Sequence, residues 1–215
     1  VRSMPKGTLE QIIFRMDVLG EFERRGGLVV NRPGALEMAI DKYLTLSRLH
    51  QAGLTVPDTI VCQTTDTAME AFAAMDGDVV LKPLFGSEGR GLVRVSDQRT
   101  AKEQIEQFVA SQGVVYVQRF VNHPGFDYRL FVIGDRVLGM RRENLNDWKL
   151  NVKQGATAEP MEPDDELANL ARRAALAVEA TVAGIDLLPD QCGNLFALEV
   201  NAVPGWRALG QATDE

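Results

Sequence analysis

The chain has 215 residues, 45% of them apolar and 25% charged, with a formal net charge of −7. That length holds one good-sized domain or two small lobes around a shared core, and the composition is that of an ordered globular protein. The negative balance gives a nucleic-acid partner no bulk electrostatic support, although basic residues can still gather on a local phosphate-binding face.

The first residues, VRSMPKGTLEQ, lack the apolar core of a signal peptide, and position 1 is Val rather than Met, as expected of a fragment or a reset numbering. No run approaches the roughly 18 apolar residues of a membrane span. Residues 9–25 have helical spacing, with Ile12, Ile13, Met16, Leu19 and Phe22 on one side, and Gly26-Gly27 ends that helix. Leu28-Val29-Val30 reads as a short strand. Residues 35–52 read as a second helix closed by Gly53, followed by the extended segment PDTIVCQ. Thr64 or Thr65 caps a short helix to Met75, and Asp76-Gly77 makes a turn.

In DVVLKPLFGSEGRGLVRV two strand-like runs flank a glycine-rich loop, and residues 99–112 form a helix before the strand VVYVQRF. DYRLFVIGDRVLGMRR is a hairpin turning at Gly134-Asp135. Residues 163–183 are expected to be the longest helix, from Pro163-Asp164 to Gly184, and IDLLPDQCGNLFALEVN is a second hairpin. Hairpins mixed with helices, without strict βαβ units, predict an α+β protein with antiparallel sheets. Cys62 and Cys192 stand in no CxxC or Cys/His cluster. They read as small buried hydrophobes of a reducing, cytoplasmic compartment, with neither a zinc site nor a disulfide.

Three groups of residues carry chemistry. Glu199 and Asn201 lie two apart in FALEVN, on one face by strand alternation, and Asp186 lies on the neighbouring strand. Two acids and an amide make an all-oxygen set suited to Mg²⁺; polar residues at strand ends are the bland alternative. Lys82, in an apolar strand, needs a charge partner, which a nucleotide phosphate would supply. The loop Gly86-Ser87-Glu88-Gly89-Arg90-Gly91 beside it could aim backbone N–H groups at phosphates, or be a simple hairpin. It is no Walker or dinucleotide loop, because a strand follows it and no Gly-Lys-Ser/Thr is present. A Rossmann dehydrogenase is thereby excluded. Arg129, Arg141, Arg142, Lys149 and Asn151 either line an anionic cleft or form a solvated edge.

In order and spacing, IDKYLTLSRLHQAGLTVPDT, VVLKPLFGSEGRG, VYVQRFV, DYRLFVIGDRV, RR followed by WKLN, AGIDLL and LEVNAVPG resemble the ATP-grasp superfamily, and within it the RimK-like amino-acid ligases. The resemblance spans residue 39 to about residue 205. It implies two lobes with antiparallel sheets flanked by helices and ATP held between them. Residues 1–38 would be a remnant of, or linker from, a preceding domain, 39–120 the first lobe with its flap, and 121–215 the second lobe with the metal site.

It further implies that Lys42 and Lys82 contact the nucleotide phosphates and that Gly86, Ser87, Glu88, Gly89 and Gly91 belong to a flap over them. Gln118, Arg119, Phe120 and Val121 would form the hinge that receives adenine, and Asp127 a nucleotide-binding acid. Arg129 and Arg141 or Arg142 would be basic groups around the transferring phosphate, with Asp186, Glu199 and Asn201 holding two Mg²⁺ or Mn²⁺ ions. The family has an acid where Arg119 stands, and arginine where Lys149 stands, so a forked phosphate contact is lost there. The reaction implied is ATP-dependent amide formation through an acyl phosphate. The amine would be glutamate and the acceptor a coenzyme or peptide carboxylate, with RSMPKGTLEQIIFRMD and HPGFDYRLFVIGDRV closest to relatives linked to tetrahydromethanopterin or methylofuran cofactors. Another amino acid, a carrier-protein acceptor or a catalytically silent ATP-binding module are the alternatives. Neither nucleic acid nor membrane is an expected partner, and homo-oligomerisation stays open.

Overall fold

The computed structural model describes residues 1, 4–5, 7–86 and 89–205, the side chain of Gln112 excepted. The elements in chain order are α1 Leu9–Arg24, α2 Pro33–Ile40, α3 Lys42–Gln51, β1 Thr59–Cys62, α4 Thr65–Ala74, β2 Val79–Lys82, β3 Val93–Val95, α5 Gln98–Gln112, β4 Val115–Arg119, β5 Phe126–Ile133, β6 Arg136–Glu143, β7 Thr157–Met161, α6 Asp165–Ala177, β8 Val182–Pro189 and β9 Leu195–Asn201. Two antiparallel sheets result, a smaller one ordered β1-β4-β2-β3 and a larger one ordered β7-β6-β5-β8-β9. This is the expected α+β architecture. Among the described residues no helix is long and apolar enough to cross a membrane.

The helices start where side chains take up their first free N–H groups. Thr8 and Gln11 form a reciprocal capping box on α1, and Thr64, Asp97 and Asp164 cap α4, α5 and α6. Asp41 divides the helix expected over 35–52. Its backbone is extended, and its carboxylate accepts from Tyr43 N at 2.8 Å and Leu44 N at 3.1 Å, so α3 starts afresh there. The helix expected over 163–183 also ends early, at Ala177. Glu179 turns left-handed at φ 56°, Ala180 N returns to Ala175 O at 2.9 Å, and Gly184 lies inside β8. At 13 residues α6 is shorter than the 16-residue α1. No strand forms at 28–30. Asn31, buried, takes over the pairing role, donating to Val182 O and Ala202 O and accepting from Val182 N. Strand β7, edging the larger sheet, had no counterpart in the sequence reading.

Each sheet is covered by helices on one face only. In the smaller sheet Val79, Leu81, Val115 and Val117 pack on Ala68, Phe72 and Ile105 of α4 and α5. In the larger, Leu130, Val132, Ile185 and Val200 pack on Ala171, Ala174 and Ala175 of α6, and Leu49 of α3 joins the same core. Alternation then turns the remaining side chains of β2, β4, β5, β6, β8 and β9 to the uncovered faces. Of the apolar side of α1, Met16 is buried, whereas Ile13 and Phe22 are 50% and 54% exposed. Cys62 is buried and Cys192 exposed, so only the first fits its sequence reading.

Candidate functional site

The two uncovered faces line an open cleft. The smaller sheet contributes Val80 and Lys82 from β2 and Tyr116 and Gln118 from β4. Lys82 Nζ donates to Gln118 Oε1 at 2.6 Å, and Gln118 Nε2 donates to Thr59 Oγ1 at 2.9 Å. The ammonium therefore has a neutral partner. Burial lowers its pKa to about 8, against the pull of the Glu199 carboxylate and with a push from Lys42. Lys42, on the first turn of α3, reaches over the same space and donates to Gly86 O at 2.8 Å; burial lowers its pKa as well. Lys42, Gly86, Gly89 and Arg90 all line the cleft. Gly89 has φ 70°, and a Cβ there would run into Asn151 Oδ1, so glycine is what lets the loop approach the opposite wall. Ser87 and Glu88 lie outside the described residues; Gly91, at φ 73°, completes the loop.

The larger sheet contributes a charged face. Registers Asp127↔Arg142, Arg129↔Asp186 and Asp186↔Glu199 set these side chains directly opposite one another on adjacent strands. A β-bulge at Asp186/Leu187 matters here. It lets Ala197 point into the core while Glu199, two residues on, still points to the cleft. Arg142 grips Asp127 with two bonds, 2.8 and 2.5 Å, and reaches Asp186 at 3.1 Å; Arg129 Nη1 lies 2.6 Å from Asp186 Oδ1. With its oxygen turned toward Arg129, the orientation that satisfies both neighbours, the Asn201 amide accepts from Arg129 Nη1 at 3.0 Å and donates to Glu199 Oε1 at 3.2 Å.

Burial alone would raise the pKa of Asp186, but Arg129 and Arg142 more than offset it and hold it low. Glu199 goes the other way, raised by burial and by the charge of Asp186. Burial also pushes Asp127 up, to about 6, although Arg142 opposes it. Three carboxylates thus face two guanidinium groups, and among the described residues Glu199 has no arginine ion pair, although the charges of Lys42, Arg129 and Lys82 act on it. Among the described residues no three His, Cys, Asp or Glu side chains stand together as a metal cluster. The set that fits a cation is two carboxylates and an amide oxygen, all hard donors.

The structure does not bring every sequence candidate to this face. Arg141, one residue out of phase with Arg142, pairs with Glu143 at 2.8 Å and lies 4.1 Å over the Phe126 ring, lining neither cavity described here. Arg142 is the arginine of that pair that reaches the cleft. Arg119 lines the cleft, although its guanidinium is taken up by Asp58 and Asp76 at 3.0 and 2.6 Å. Phe120, Val121, Lys149 and Asn151 line the cleft.

Several contributors carried no sequence signal. Phe120 makes ring contacts with His123 and Trp148 at 5.7 and 6.1 Å, and Arg94, fastened to Asp78, stacks 3.4 Å over Phe120. Buried Asn144 shapes the loop that carries Trp148 to Asn151, accepting from Asn146 N and Asp147 N and donating to Lys149 O at 2.9 Å. A second open space adjoins the cleft, lined by Arg129, Phe131, Met140, Lys153 and Asn201 among others; Arg142, Asn151, Asp186 and Glu199 wall both.

Comparison with known proteins shows the family and the fold. Residues 39–214 match the RimK-like ATP-grasp domain. The tetrahydromethanopterin:alpha-L-glutamate ligase of Methanosarcina acetivorans is 35% identical over 99% of this chain and 74% of its own length. The alpha-aminoadipate–LysW ligase LysX of Sulfurisphaera tokodaii is 34% identical over 86% of this chain and 67% of its own. Among solved structures, the ATP-grasp ligase PsnB complexed with minimal precursor, Mg and ADP superposes with a TM-score of 0.74 at 27% identity, over 96% of this chain and 63% of that one. The D-alanine–D-alanine ligase of Bacillus anthracis complexed with ATP shares the fold, with a TM-score of 0.75 at 18% identity. The chain thus spans roughly two thirds to three quarters of the length of these proteins.

Proposed function

The chain belongs to the RimK-like ATP-grasp family of carbon–nitrogen ligases, and from that premise we propose that it joins the amine of glutamate to a carboxylate on a coenzyme or peptide at the expense of ATP. The observation that carries this reading is the meeting of two cavities at one wall of Arg142, Asn151, Asp186 and Glu199, with two lysines facing that wall. The cleft between the two sheets suits the nucleotide, with its phosphates toward Lys42 and Lys82 and its base toward residues 118–121. The second space suits the acceptor and the amine.

An acceptor carboxylate oxygen attacks the γ-phosphorus, the bond to the β-phosphate oxygen breaks, and ADP and an acyl phosphate result. The amine nitrogen then attacks the carbonyl carbon, phosphate leaves with the bonding electrons, and the nitrogen loses a proton to give the amide. Lys42, Lys82 and Arg142 counter the charge on the transferring group, and Arg129, which also lines the second cavity, would stabilise the oxyanion of the second step. Asp186, Glu199 and Asn201 would hold Mg²⁺, two ions in our reading, and Mg²⁺ when bound supplies neutralisation of phosphate charge. The loop around Gly89, already against Asn151, limits water at the acyl phosphate.

The test is ADP release with ATP, Mg²⁺, glutamate and candidate acceptors, with mass spectrometry of the acceptor. One added glutamyl residue is expected, and Glu199→Ala is expected to abolish it. Undiminished turnover in Glu199→Ala would remove the mechanism, and ADP release with no mass gain on any acceptor would remove the ligation.

A further inference from the structure

A single guanidinium nitrogen, Arg129 Nη1, touches two of the three oxygen donors, Asp186 Oδ1 at 2.6 Å and the Asn201 amide oxygen at 3.0 Å. A divalent cation on those donors would have to stand against the same oxygens, where the bulk and like charge of the guanidinium oppose its entry. Arg142 has a berth of its own in the two-bond grip of Asp127. Among the described residues Arg129 has none apart from this set, but it also lines the second cavity, beside Phe131. Its present place depends on a missing side chain. Gly184 lies opposite Asn201 in the sheet, and a Cβ there would stand 2.8 to 3.0 Å from the Nη2, Cζ and Nε atoms of Arg129.

We propose that Arg129 is the resident counter-ion of the Asp186–Asn201 donor set, displaced by a divalent cation and thereby turned into the second cavity. This inference rests on Asp186, Glu199 and Asn201 being cation ligands. It makes cation entry a precondition for Arg129 to meet the acceptor carboxylate. It also makes Gly184 a positioning residue, since it clears the surface on which the guanidinium rests while no cation is bound.

Mn²⁺ titrated into the nucleotide-free full chain, followed by electron paramagnetic resonance, tests this apart from turnover. Arg129→Met, which removes the competitor, is expected to bind Mn²⁺ about tenfold more tightly than the wild type. Loss of any nearby positive charge would shift affinity in that direction, so Gly184→Ala is the decisive variant. It keeps every charge, and the atoms nearest the added methyl are those of the guanidinium, so its Mn²⁺ affinity is expected to rise several-fold. Unchanged or weaker binding in Gly184→Ala overturns the displacement. If Arg129→Met does not fold, Gly184→Ala decides alone. Glu199→Gln separates the two readings. Mn²⁺ binding that Glu199→Gln leaves intact refutes the ligand assignment itself. Binding that it abolishes, with Gly184→Ala like the wild type, refutes only the displacement.

Discussion

The two walls of the cleft handle buried charge in opposite ways. On the smaller sheet Lys82 is held by a neutral amide, and burial lowers its pKa to about 8. On the larger sheet Arg129 and Arg142 are each bonded to buried carboxylates. The first wall is an incomplete electrostatic arrangement that an anionic ligand would finish. The second is nearly complete on its own, and its oxygen donors suit a cation. The lesson is that charge on one wall serves binding and charge on the other serves both binding and folding. The two should therefore fail differently when altered.

The largest expected effect is on stability, at the self-neutralised wall. Arg142→Met leaves Asp127 and Asp186 buried without their shared guanidinium, and should cost about 3–5 kcal/mol in urea unfolding. Lys82→Met removes a cation that burial already disfavours, so it should leave stability within about 1 kcal/mol of the wild type. Equal losses in the two variants would erase the distinction between the walls.

Nucleotide binding should reverse the ranking of Lys82. Without its charge-assisted bond to phosphate, Lys82→Met should lose about 1.5–3 kcal/mol of ATP affinity by calorimetry, roughly ten- to a hundredfold. The pH dependence sharpens this. Lys42, Glu199 and Asp186 are the charged groups that act on Lys82. With a pKa near 8, Lys82 carries its charge below that pH and loses it above. ATP affinity should therefore fall as pH rises through about 8, by up to about tenfold per unit, and the fall should be absent in Lys82→Met. The effect on folding has the other sign. A lysine whose folded pKa lies below its unfolded value of about 10.4 burdens the folded state at pH below 8, and that burden lifts between about pH 8 and 10.4. A flat affinity profile across pH 8 in the wild type would show that Lys82 does not meet phosphate.

Much of this was legible in the sequence because it depends on strand alternation and order. Glu199 and Asn201, two apart, had to share a face, and Lys82 in VVLKP had to be an expensive cation. What sequence could not show was what depends on partners distant in the chain. Gln118 as the seat of Lys82 needs the β2–β4 pairing. The two arginines of Asp186 need three neighbouring strands. The helix ends at Asp41 and Glu179 were missed because an internal carboxylate cap and a left-handed glutamate override the apolar periodicity around them. Asn31 and Asn144, each buried and bonded to backbone groups, look in sequence like any loop asparagine.

The smallest expected effect belongs to the residue that sequence could not separate from its neighbour. Arg141 and Arg142 are adjacent, so strand alternation sends them to opposite faces, and only the β5–β6 register decides which one meets Asp127. Arg141 keeps a half-exposed pair with Glu143 and a stacking contact on Phe126. An exposed pair contributes about 0–1 kcal/mol, and the ring contact about 0.5–1 kcal/mol at such a site. Arg141→Met should therefore lower unfolding stability by no more than about 1–2 kcal/mol and leave ATP affinity and the turnover constant at wild-type values. A loss of turnover there comparable with that of Arg142→Met would mean that the β5–β6 register places the wrong arginine in the cleft, and the contrast between the two walls would have to be redrawn around Arg141.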